Sequence, residues 1–100
     1  MSPRVFLDVD PRELRLPTSR RAGADPLKLQ LQIARYGTST QGMPTLEVSR
    51  GSDGGLVINS GVTRATRIAK LLPGTLVHVE VIDDLPFSVG SYPTVGDTVP

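Results

Sequence analysis

One hundred residues, 38% hydrophobic and 21% charged, fit one globular domain and leave little room for a second. The formal net charge of +1 names no partner, so a nucleic-acid role would need the nine arginines gathered on one surface. With no cysteine and one histidine, disulfides, thiolate catalysis and sites built from Cys or several His are excluded. No apolar run approaches the ~20 residues of a membrane span, and the Met-Ser-Pro-Arg start lacks a signal peptide's apolar stretch, so a cytoplasmic protein without membrane contact is expected.

In chain order, residues 5–9 alternate as a first strand. Asp10 followed by Pro11 reads as a cap and first helical position, which predicts a short helical turn. Residues 15–24, with Pro17, Gly23 and Arg15, Arg20 and Arg21, read as a surface loop. Asp25-Pro26 repeats the cap signal. The apolar run after it is mixed in period, but the Leu27-Leu31-Ala34 and Gln30-Ile33 spacing fits a helix of about three turns that ends at Gly37. Residues 38–44 are a polar loop. Leu46-Glu47-Val48 alternates as a strand, Asp53-Gly54 marks a hairpin, and Leu56-Val57-Ile58 returns as a short buried strand.

This strand turns through Asn59-Ser60-Gly61 into a helix over 62–72. Val62, Ala65, Ala69 and Leu72 form its inner face, and Thr63, Arg64, Arg67 and Lys70 its outer one. Pro73-Gly74 stops it, and residues 75–82 form a valine-rich last strand. Residues 86–100 read as a tail, ordered only where it packs on the body (1–85) or a protein partner. The expected fold is α/β (α+β): a small mixed sheet of about four strands with two main helices. The strands flanking the second helix are expected to run parallel if they share the sheet.

The sharpest chemical signal is the turn at 59–64. A glycine turn that opens a helix leaves backbone N–H groups unpaired at the positive end of the helix dipole. Asn59, Ser60, Gly61, Thr63, Arg64 and Arg67 would together suit an oxyanion, most readily phosphate. The same residues also suit a plain capped turn with solvated arginines. Ser39, Thr40 and Gly42 could line an opposite wall, or be an ordinary connection. Arg20 and Arg21 could reach in from the long loop, or be a solvated pair. His78 reads as a strand residue facing away from Val77 and Val79. No nucleophile–base pair, metal-ligand spacing or Walker-type loop is visible, so the catalytic residues are unknown and no metal site is expected.

From Val9-Asp10-Pro11-Arg12-Glu13-Leu14, through Ile33-Ala34-Arg35-Tyr36-Gly37, to Gly61-Val62-Thr63-Arg64-Ala65-Thr66-Arg67, the order of elements resembles the N-terminal domain of the ParB and sulfiredoxin superfamily. It is most similar to the small ParB-like domains at the ends of bacterial polymorphic toxins. The resemblance implies a nucleotide, accompanied by Mg2+, or a phosphodiester at Gly61, Thr63, Arg64 and Arg67. It leaves open a nuclease acting on DNA or RNA, a non-catalytic CTP- or ATP-binding module, and an interaction domain with a vestigial site. Sulfiredoxin activity is excluded, because Val62 stands where that family has its cysteine. Val62 and Thr63 also replace the Glu and Arg that follow the glycine in the partition proteins, which puts CTP hydrolysis in doubt.

Overall fold

The computed structural model describes residues 4–99. Strands β1 (Val5–Val9), β2 (Leu46–Arg50), β3 (Leu56–Ser60) and β4 (Val77–Asp84) form one mixed sheet in the order β1-β4-β2-β3. The main helices are α1 (Pro26–Tyr36) and α2 (Val62–Leu71), followed by a single turn, α3 (Val95–Thr98). This is the small α+β architecture expected. The turn at Pro11–Glu13 is 3-10, and the Asp10 side chain accepts from the Arg12 amide as its cap.

Alternation fixes which side of the sheet is covered. Leu46, Val48, Ile58, Val77 and Val79 are buried against Ala65, Ile68 and Ala69 of α2. His78 faces the other way, exposed and stacked on Phe6 at 5.2 Å between ring centroids.

One expectation about topology is corrected. The parallel partner of β4 is β2, in the register Leu46↔Val79 and Val48↔Val81, and not β3. The Asp53-Gly54 hairpin turns β3 back antiparallel to β2 at the sheet edge, so α2 carries the chain across to the far side of β2. β3 and β4 therefore share the sheet but run in opposite directions.

Helix α1 is held at both ends. Asp25 caps it through bonds from the amides of Leu27 and Lys28, and Gly37 closes it with an N–H bond to the Ile33 carbonyl. The face turned inward carries Leu29, Gln32 and Ile33, whereas Leu27 and Leu31 are 64% and 62% exposed. Either stripe satisfies helical spacing. What decides is that α1 crosses α2 at the rim of the molecule and buries no residue fully.

Two segments without periodicity complete the core. Leu14 and Leu16 are fully buried. The stretch between them is held as an extra strand: Arg15 N–H donates to Leu56 O at 2.7 Å, and Leu16 N–H donates to Pro93 O at 2.7 Å. Residues 86–99 pack on the body, with Val89, Val95 and Val99 buried, so the core continues past residue 85. Each such side chain contributes about 1.5–3 kcal/mol by leaving water.

Candidate anion-binding groove

Helix α2 begins at Gly61, whose φ of +112° lies in the left-handed region. A Cβ at this position would stand 2.8 Å from Leu46 Cδ2 and 2.9 Å from a terminal nitrogen of Arg64. Glycine is thus required both for the turn and for the return of Arg64 over it. No side chain caps the helix, and its first backbone bond runs from Ala65 N–H to Gly61 O at 2.9 Å. The amides ahead of it, on Val62, Thr63 and Arg64, remain as donors at the positive end of the dipole.

These amides open onto a wide depression of about 540 Å³ lined by Asn59, Gly61, Thr63, Arg64, Gln32 and Arg20. Arg20 arrives on the 3-10 turn Thr18–Arg20. The Asn59 amide nitrogen is committed to Ser49 Oγ at 2.7 Å.

A tighter pocket of about 130 Å³ adjoins it, between the end of α1, the loop 38–44 and α2. Ser39, Gly42, Tyr36, Met43, Arg64 and Arg67 are among its walls. Arg67 does not lie on the solvent face of α2 as the sequence suggested: it is 1% exposed. Its Nη1 donates to the carbonyls of Gly37 at 2.7 Å and Ser39 at 2.9 Å, and its guanidinium lies 5.4 Å from the centre of the Tyr36 ring. Burial lowers the pKa of this guanidinium, with Tyr36 opposing the shift.

Among the described residues, three buried side-chain atoms have no partner: Gln32 Oε1, Arg64 Nε and Arg67 Nε. All three residues line the tight pocket. An unmet buried polar atom costs about 1–3 kcal/mol, so three on residues that line one pocket mark the seam between α1 and α2 as the place where the fold leaves polar groups unmet.

A third, shallow depression of about 330 Å³ continues the seam along α1, lined by Lys28, Leu31, Gln32, Arg35, Tyr36 and Thr63. Gln32 borders all three hollows, and Arg64 borders two. The groove carries Arg20, Lys28, Arg35, Arg64 and Arg67, and among the described residues no carboxylate lines it. The ion pairs Arg4–Glu80 and Arg50–Asp84 and the Asp8–His78 hydrogen bond lie on the sheet instead. A chain of net charge +1 has therefore sorted its charges, with cations concentrated between the helices.

Of the residues singled out from sequence, Asn59, Gly61, Thr63, Arg64 and Arg20 meet at the helix mouth. Ser39, Gly42, Arg64 and Arg67 meet in the pocket. Ser60, Arg21 and Thr40 line neither. The carbonyl of Thr40 instead accepts from the Met43 amide in a turn. Sequence reasoning missed Gln32, Tyr36, Lys28 and Arg35. The available signal was Gln32 itself, a polar residue inside the Leu29–Ile33 stripe.

The donor set suits an oxyanion. It does not suit a divalent cation held by the protein: the lining offers guanidinium, ammonium and amide groups, and the described residues contain no cluster of three His, Asp or Glu. Among the described residues no helix is long and apolar enough to cross a membrane. Compared with known proteins, the chain matches no family model, no curated protein and no solved structure.

Proposed function

We propose that the chain is a ParB/sulfiredoxin-like nucleotide- or phosphodiester-binding domain, which holds ligand phosphate at the start of α2. The observation that carries this reading is the uncapped helix mouth at Gly61 with Arg64 folded over it and Arg20 opposite. Backbone amides and guanidinium groups together recognise phosphate by charge and by paired hydrogen bonds. Gln32 and Arg64 border both the depression at the helix mouth and the adjoining pocket, where the rest of the ligand would lie.

Binding without turnover is the favoured form, since the groove lining holds neither imidazole nor carboxylate to move a proton. Calorimetric titration with CTP, ATP, dTMP and inorganic phosphate tests it. Saturable heat that falls at least tenfold in affinity in Arg64→Ala supports the reading; no heat at millimolar ligand contradicts it. Incubation with DNA and RNA in the presence of Mg2+ tests the nuclease form. Cleavage by the wild type that Arg64→Ala abolishes would replace binding with catalysis.

A further inference from the structure

We infer that the groove takes a single-stranded oligonucleotide contacting two or more phosphates, laid along the seam between α1 and α2. This rests on the phosphate site proposed above and adds the class and length of its ligand. The three hollows meet at Gln32, which borders each of them. Cations occur along its whole length: Arg20 and Arg64 at the mouth of α2, Lys28 and Arg35 on α1. Lys28 and Arg35 are seven residues apart, about 10 Å along the helix axis. The step between neighbouring phosphates, about 3.4 Å of axial rise when stacked and longer when the bases are unstacked, fits within that span. A strand laid along the track sets more than one phosphate against these cations.

The shape favours an unpaired strand. The cations sit inside a concave seam and not on a projecting helix that could enter a duplex groove. Beside them lie Leu31, 62% exposed, an apolar surface on which an unstacked base can rest, and Tyr36, whose ring holds the Arg35 and Arg67 guanidinium groups at 5.4 Å. An acidic peptide would use the cations but would leave the phosphate-shaped donors at Gly61 without their best partner.

The test is calorimetry on the full chain with inorganic phosphate, dTMP, (dT)4 and (dT)8 at several salt concentrations, with polyglutamate as a control polyanion. Affinity should rise at least tenfold from dTMP to (dT)4. The (dT)4 salt dependence should have a log–log slope near −2, about three phosphates at roughly −0.7 each. The Lys28→Gln/Arg35→Gln double variant should weaken (dT)4 at least fivefold more than it weakens dTMP. Equal affinity for dTMP and (dT)4, equal losses in the double variant, or polyglutamate binding as tightly as (dT)4 would overturn the proposal. In those cases, dTMP binding that is still sensitive to Arg64→Ala would leave the phosphate site standing. Failure of every ligand, phosphate included, would remove both.

Discussion

Arg67 Nη1 stands 2.7 Å from the carbonyl oxygen of Gly37, thirty residues earlier in the chain, and closes the end of α1 onto the middle of α2. The same nitrogen holds the Ser39 carbonyl. A buried cation with no carboxylate beside it is here solvated by the backbone of the loop it organises. Arg67→Ala should cost about 3 kcal/mol or more, since two charge-assisted bonds and their packing are lost together. Hydrogen exchange should show the amides of residues 38–43 losing protection. Retained stability in a urea melt would show that the clamp has no energetic role.

Arg64 sits over the helix mouth, and its removal should act on binding and not on folding. Arg64→Ala should lower affinity for inorganic phosphate by about ten- to a hundredfold, the scale of one charge-assisted bond. The melting temperature should barely move. Unchanged affinity would disconnect the arginine from the anion.

Gly61→Ala tests the turn beneath it. The left-handed φ and the 2.8 Å approach of Leu46 both oppose a Cβ. We expect a loss of about 1–3 kcal/mol of stability. Phosphate affinity should fall as well, because Arg64 must give way. A variant as stable as the parent would show that the turn relaxes freely.

Acid should destabilise the fold in a defined window. Asp53 is held below the ordinary carboxylate range by the Ser88 hydroxyl first and the Val89 amide second. Glu80 is lowered by its hydrogen bond from Arg4 against a smaller effect of burial. Asp97 is lowered by the amide and hydroxyl of Thr94. In each case the folded protein binds protons more weakly than the unfolded chain does. Their contribution is therefore present above about pH 4 and is lost as pH falls through the folded values. Urea melts from pH 6 to pH 2 should show this fall, and Asp53→Asn/Glu80→Gln should flatten it. An unaltered acid limb in the double variant would assign it to other groups.

Truncation after Leu85 should leave the chain unfolded by circular dichroism. It deletes three buried valines together worth roughly 5 kcal/mol or more, comparable to the whole stability of a small domain. A cooperatively melting truncated chain would contradict the role given to this segment.

Most strands and both main helices were legible because each carries a local signal: valine alternation in β4, Asp-Pro caps before α1, the glycine turn before α2. What failed to show was decided by distant partners. Leu14, Leu16 and Val95 have no period, and they enter the core through backbone pairing with one another's segments. The inward face of α1 could not be chosen from its own spacing, and that choice hid Gln32. Arg67 looked like a surface charge because nothing local announces that the carbonyls of Gly37 and Ser39 will meet it. At the candidate site, Gly61 and Arg64 were therefore readable, and the pocket behind them was not.

The most direct check of the central claim is a two-dimensional amide NMR titration with inorganic phosphate. The account predicts that the Val62, Thr63 and Arg64 resonances shift first and furthest and saturate together, and that Arg64→Ala suppresses the effect. Phosphate shifts that are absent there, or that concentrate on the outer face of the sheet around His78, would contradict it.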